Sequence, residues 1–301
     1  MSRDSLSLTN ADAPTTKKIS RWRNKWAIGI YVGPSPLALA PAQVAQPVLT
    51  ARDVTDVPGQ CVADPFLLRR GEVWYLFFEV LNSATGRGEI AYATSRDGFT
   101  WTYGAVVLRE PFHLSYPQVF AWEDEIYMIP ETRQDKSVRL YRAEAFPDRW
   151  LYVCTLLRGW FADATILRHQ DRWWLFAQRG LDELSLFYSE ELIGPWRGHP
   201  LNPLWPGNRR RTRPGGRMLV HEGRVLRFAQ DGWPSYGSRL CVFAVDRLSE
   251  SEYAEHELEE SPILRASGSG WNAVAMHHID AVLLDDGRWL AAVDGASLGL
   301  F

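Results

Sequence analysis

Residues 63–79, "ADPFLLRRGEVWYLFFE", begin beside one acid and end on another, with two apolar runs between them. Phe66 to Leu68 and Val73 to Phe78 are too short for ordinary helices and rich in aromatics. The polar stretch around Gly71 supplies the turn, so the unit reads as a tight β-hairpin. Sheet formation accounts for the apolar residues. It leaves Asp64 and Glu79 to be explained.

The same unit recurs along the chain. "YPQVFAWEDEIYMIPE" runs from Tyr116 to Glu131 and "ADATILRHQDRWWLFAQ" carries Asp163 to Gln178. "RPGGRMLVHEGRVLRFAQD" covers Arg213 to Gln230 and Asp231, and "HIDAVLLDDGRWLAAVD" leads from His278 and Asp280 to Asp294. First and last polar residues are roughly 14 to 17 positions apart each time, the length of a hairpin. Segments such as "GEIAYATSRDGFTWTYGAVVL" follow the first four copies and fit outer strands, but the fifth copy is cut short by Phe301. "KWAIGIYVGPSPLAL", Lys25 to Leu39, has the look of those outer strands. A repeat of this length implies a radial array, and the N-terminal segment is expected to complete the last blade and close the ring. The expected fold is all-β, a five-bladed β-propeller forming one domain over residues 21–301. Residues 1–20 are expected to be a disordered tail.

Composition narrows the function classes. Hydrophobic residues make up 46% and charged residues 23%, with 14 Trp; indoles fill gaps between sheets or offer flat faces to sugar rings. A formal charge of -3 gives no field to attract nucleic acid. Cys61, Cys154 and Cys241 are scattered and odd in number, so neither a disulfide framework nor a zinc site is expected. There is no apolar run of 18 residues, hence no expected transmembrane segment, and no secretory signal pattern, so a cytoplasmic location is expected. Phosphate-binding glycine loops and dinucleotide fingerprints are absent, and neither cofactor nor metal is expected.

In a propeller the innermost strands line a central channel, so residues at its mouth converge from all blades. Asp64 then faces an axial funnel, with Tyr116 or Gln118, Asp163, Arg213 and His278 or Asp280 as counterparts. The hairpin-end residues Glu79, Glu131, Gln178, Gln230, Asp231 and Asp294 form a second polar ring. Carboxylates crowded in a partly dry cleft raise one another's pKa, which separates a proton donor from a proton acceptor, as glycoside hydrolysis requires. The structural alternative is that such acids cap turns or accept backbone N–H groups. His113, ahead of the second hairpin, is placed to hydrogen-bond a sugar hydroxyl. "NRRRTRPGGR" gathers Arg209, Arg210, Arg211, Arg213 and Arg217, of which Arg213 and Arg217 lie nearest the inner strand; guanidinium forks suit an anionic ligand.

At "ADPFLLRRGEVWYLFFE" the chain resembles the five-bladed propellers of glycoside hydrolase family 43 and its relatives. Through "WYLFFEVLNSATGRGEIAYATSRDGFTW", "EPFHLSYPQVF", "YMIPET", "FADATIL" and "RPGGR" it is more similar to the N-terminal propeller domain of glucosamine inositolphosphorylceramide transferases and its stand-alone bacterial relatives. This similarity covers about Trp26 to the end, with "HLSYPQVF" and "IPET" its specific part. In those plant proteins transfer belongs to a separate downstream domain, so the resemblance implies no transferase activity here. The family 43 pattern implies a base Asp on blade one, a pKa-tuning Asp on blade two and an acid Glu on blade three. Asp64 matches the first, "YPQ" stands at the second and Asp163 at the third, which leaves Glu131 as a candidate acid from the second hairpin. The expected function is therefore a glycosidase-like hydrolase of an anionic glycan or glycoconjugate, with Asp64, Glu131 and Asp163 catalytic. The alternative is a noncatalytic glycan-binding or scaffold module in cell-envelope glycan biosynthesis.

Overall fold

A computed structural model describes residues 22–300; the expected tail at residues 1–20 lies outside the described residues. Five antiparallel sheets form the blades of a propeller. Blade 1 comprises Gly59–Arg70, Val73–Asn82, Arg87–Ser95 and Thr102–Leu108; blade 2 comprises Ser115–Trp122, Glu125–Thr132, Ser137–Ala145 and Arg149–Arg158. Blade 3 is built from Phe161–His169, Arg172–Arg179, Glu183–Ser189 and the short Arg197–Gly198. In blade 4 the inner strand is broken into Arg213–Pro214 and Leu219–His221, both paired with Arg224–Asp231, and Arg239–Leu248 and Tyr253–Glu257 lie outside them. Blade 5 begins with Ile279–Leu283 and Trp289–Leu300 and is completed by Trp22–Ser35 and Ala38–Pro41 from the other end of the chain. The ring thus closes by chain ends, as the similarity of the N-terminal segment to an outer strand implies.

Alternation along each strand explains why the blades stack. Successive side chains leave a strand on opposite faces, and here both faces are covered. Phe77 joins Phe66, Val119 and Met128 between blades 1 and 2, whereas its neighbours Leu76 and Phe78 join Ile28, Ile30 and Leu290 between blades 5 and 1. Trp173 and Leu175 pack towards blade 2; Trp174 and Phe176 pack towards blade 4. Trp74, Trp150, Trp173, Trp174 and Trp289 are buried in this packing, while Trp160 and Trp233 are exposed. The three cysteines are unpaired. No helix among the described residues is long and apolar enough to cross a membrane.

One irregularity repeats. Blades 1, 2 and 3 each carry a one-residue bulge where the inner strand reaches the mouth, between Ala63 and Phe66, Ser115 and Gln118, and Ala162 and Thr165. Asp64, Tyr116 and Asp163 sit at these bulges with φ of 53°, 47° and 49°. Left-handed backbone is unfavourable for non-glycine residues, and a bulge re-aims its side chain. The structural counterpart of Asp64 and Asp163 in blade 2 is accordingly Tyr116 rather than Gln118.

Candidate active site

The bulges and the hairpin ends deliver one polar group after another to the mouth of the channel. Blade 1 supplies Asp64 and Glu79, blade 2 Glu131, blade 3 Asp163, blade 4 Arg213 and Gln230, and blade 5 His277 and Asp294. Their side chains are nearly enclosed, with 10% of Asp64, 13% of Glu79, 12% of Glu131 and 25% of Arg213 accessible, against 2% of Asp163. A molecule above the mouth therefore meets the first four, and Asp163 lies beneath them.

Each acid is treated differently by its surroundings. Asp163 accepts from Arg213 Nε at 2.5 Å and Nη2 at 3.3 Å and from Gln230 Nε2 at 2.7 Å. Its burial favours the neutral form, but the Arg213 guanidinium prevails and holds its carboxyl below the ordinary range. Glu131 accepts the Asp163 backbone N–H at 3.1 Å and stands 3.8 Å from Arg213 Nη2. Burial and then the Asp163 charge push its carboxyl well above the ordinary range, which favours its protonated form. Burial chiefly lifts Asp64 to about 7, with the Asp294 and Asp163 charges adding to the effect and His277 opposing it. Burial, followed by the Asp64 and Glu131 charges, raises Glu79 strongly.

Asp294 organises the blade 5 side. Its carboxylate accepts the backbone N–H groups of Asp64, His277 and His278 at 3.1, 3.2 and 3.0 Å, and His277 Nδ1 at 2.8 Å. Burial penalises its charge, but His277 and these N–H donors hold the Asp294 carboxyl below the ordinary range. Asp64, His277 and Asp294 lie close together; three of the four donors to Asp294 fall on Oδ1 and one on Oδ2. His277 stacks on Trp26, ring centroids 4.1 Å apart, and Tyr236 meets its edge at 5.0 Å. His278 donates Nε2–H to the Pro65 carbonyl at 2.9 Å, and burial depresses its pKa to about 4. Its Nδ1, without a hydrogen-bond partner, lies 3.9 Å from Asp64 Oδ1. A bare nitrogen lone pair facing that carboxyl favours the protonated acid.

Opposite, the Gly88 N–H donates to His113 Nδ1 at 2.8 Å, which fixes the proton on Nε2, 3.4 Å from Glu79 Oε1. Burial lowers the His113 pKa, so the ring remains neutral. Gly88 is required here because a Cβ would lie 2.1 Å from the Leu114 carbonyl oxygen and 2.6 Å from Glu79 Oε1.

Several residues of the predicted set lie inside the fold. The Tyr116 hydroxyl bonds Thr165 and accepts the Gly216 N–H, both at 2.7 Å, and the side chain is fully buried. Gln118 spends its amide on both backbone groups of Ile166, at 2.9 and 2.8 Å. Arg217 grips Asp280 at 2.7 Å, and Asp280 accepts the Leu67 N–H. Asp231 accepts from Arg239 Nε and the Trp233 N–H. Gln178 donates to the Leu181 carbonyl and lines a cleft beside the mouth together with Gln230 and Arg213. Sequence reasoning missed Tyr236 and Arg133 in that cleft and Trp26 behind His277. Exposed aromatics following Gly-Trp-Pro were the only signal for Tyr236.

Residues 22–296 match the family model described as glucosamine inositolphosphorylceramide transferase 1, N-terminal. Glucosamine inositolphosphorylceramide transferase 1 of Oryza sativa subsp. japonica is 38% identical over 298 residues, covering 90% of this chain and 40% of that protein. The Arabidopsis thaliana protein of the same name is 36% identical over 297 residues, with 90% and 39% covered. The chain thus spans about two fifths of the length of these curated relatives. Among solved structures, β-1,2-mannobiose phosphorylase from Listeria innocua superposes with a TM-score of 0.64 at 14% identity, covering 88% of this chain and 96% of that one. The catalytic domain of a family 62 α-L-arabinofuranosidase from Coprinopsis cinerea gives 0.61 at 10% identity, with 91% and 97% covered. At such identities the likeness is one of fold.

Proposed function

Since the chain belongs to the family of glucosamine inositolphosphorylceramide transferase 1 N-terminal domains, we propose that its funnel is a carbohydrate site working by carboxylate acid/base chemistry on an anionic glycan. The observation that carries this reading is the crowding of carboxyls at one mouth, where burial raises Asp64 to about 7 and Glu131 well above the ordinary range while Arg213 holds Asp163 low. Carboxyls held in such different surroundings divide into base and acid roles, and we assign the base to Asp64 and the acid to Glu131, beside the Arg213–Asp163 pair. Water attacking the anomeric carbon passes its proton to the Asp64 carboxylate. As the glycosidic C–O bond breaks, Glu131 gives its proton to the leaving oxygen, and Asp163 with Arg213 sets the Glu131 proton affinity. Glu79, His113 and Tyr236 line the mouth as hydroxyl and ring partners for the sugar.

A second reading has its own observation. Relatives named as transferases are more than twice as long as this chain, which favours a module that holds a glycan for chemistry done elsewhere. The two are separated by measuring release of reducing sugar and ligand affinity for wild type, Asp64→Asn and Glu131→Gln. Hydrolysis requires turnover in the wild type that falls by about 10²-fold or more in either variant while binding persists. Binding without turnover in all three would leave the module reading standing and end the hydrolytic one.

A further inference from the structure

We infer that the cleft between blades 3 and 4, beside the acid funnel, is a phosphate subsite that receives a phosphorylated sugar or polyol. This rests on the reading of the funnel as a glycan site and assigns the charged part of its ligand. The argument begins with the arginines of "NRRRTRPGGR". Arg211 is held by Glu255 at 2.7 Å and sandwiched by Trp205 and Phe243. Arg213 pairs with Asp163, Arg217 with Asp280, and Arg210 faces Asp231 at 4.0 Å. Arg209 has no carboxylate partner among the described residues.

Arg209 lines a cleft of about 280 Å³ together with Arg133, Gln178, Leu181, Arg213 and Tyr236. That volume is close to the lower end for small-molecule sites. Arg133 also lacks a carboxylate partner among the described residues; it is positioned instead by a bond from Nη2 to the Gly180 carbonyl at 3.2 Å and by the Trp160 ring at 5.8 Å. Three guanidiniums from blades 2 and 4 thus share one cleft, and only Arg213 has its charge answered by protein. Uncompensated like charges in a concavity draw in an anion. A planar carboxylate is satisfied by one fork, whereas a tetrahedral phosphate offers oxygens to forks arriving from different sides. Gln230, also lining the cleft, is fixed through Nε2 on Asp163 Oδ2 and the Pro214 carbonyl. The sugar or polyol part of the ligand is assigned to the adjoining acid funnel, with which the cleft shares Arg213.

The test is calorimetric titration of the full chain with glucose 6-phosphate, glucose and glucuronate, repeated on Arg133→Gln, Arg209→Gln and Arg52→Gln. Arg52 borders a separate cleft with Trp26 and Trp271, so it controls for net charge. Glucose 6-phosphate is expected to bind at least tenfold tighter than glucose or glucuronate, and to lose roughly tenfold in each of the first two variants but not in Arg52→Gln. Thermal melts establish that the variants are folded. Equal affinity for glucose and glucose 6-phosphate, glucuronate matching the phosphate, or an equal loss in Arg52→Gln would each overturn the assignment. Arginine-dependent phosphate binding with no hydrolysis of any glycan would leave it intact and sink only the hydrolytic reading.

Discussion

Asp163 keeps its charge at almost complete burial because Arg213 meets it with two N–H donors, and the pair therefore has an asymmetric dependence on its members. Removing the cation leaves a buried charge with the Gln230 donor and the neighbouring Glu131 carboxyl for company. Arg213→Met is expected to cost about 3 kcal/mol at pH 7, the usual penalty for breaking rather than replacing a buried pair. Direction in pH follows from the sign of the shift. In the wild type the Asp163 pKa is depressed on folding, so its contribution to stability is present above the ordinary carboxylate range and is lost as pH falls below it. The variant lacks that contribution, so the gap between the two proteins should be widest at neutral pH and narrow as acidification protonates Asp163. Urea melts at several pH values read this directly. A gap that stays constant with pH would mean that Arg213 acts through packing alone.

Strands of different blades share almost no backbone ladder, so side chains must tie them at the axis. Gln118 fastens blade 2 to blade 3, Tyr116 joins both to blade 4, His278 links blade 5 to blade 1, and Arg217 spans blades 4, 5 and 1. Replacing Gln118 by Leu orphans the N–H and C=O of Ile166. A loss of about 2 to 4 kcal/mol is expected from denaturant melts, with ligand affinity unchanged in titration; a fall in affinity at full stability would return Gln118 to the ligand-contacting set. The hairpins themselves were legible because period-two alternation and polar turns are local properties. What was not legible is the left-handed bulge at Asp64, Tyr116 and Asp163. Glycine is the residue that advertises positive φ, and none stands at those positions. Without the bulge the equivalence of Tyr116 with the two aspartates, and the inward role of Gln118, could not be told apart.

At the scale of the whole ring, the acids were readable as convergent because closure brings equivalent strands to one axis, but their individual chemistry depends on partners from other blades. Asp294 was foreseeable as a hairpin end; that it would accept the N–H groups of Asp64, His277 and His278 depends on how blades 1 and 5 meet. The same is true of Arg133, whose role depends on residues about 75 positions away. These cross-blade contacts make stability depend on pH in a way that one substitution can expose. Asp64 holds its proton in the fold up to about 7, whereas the unfolded chain releases it near 4. The folded state therefore binds the extra proton in that window, and the associated stability is complete below about 4 and lost as pH rises through about 7. His278, depressed to about 4, acts in the opposite sense: its neutral ring gains the fold stability as pH climbs from about 4 to 6.5. The two largely offset each other in the wild type. Asp64→Asn removes the first and leaves the second, so the melting temperature of the variant relative to wild type should climb between pH 4 and pH 8, by on the order of 5 °C or more. Scanning fluorimetry across that range measures the difference. A difference that does not change with pH would show that Asp64 is an ordinary ionised carboxylate, and the base assigned to it would lose its physical ground.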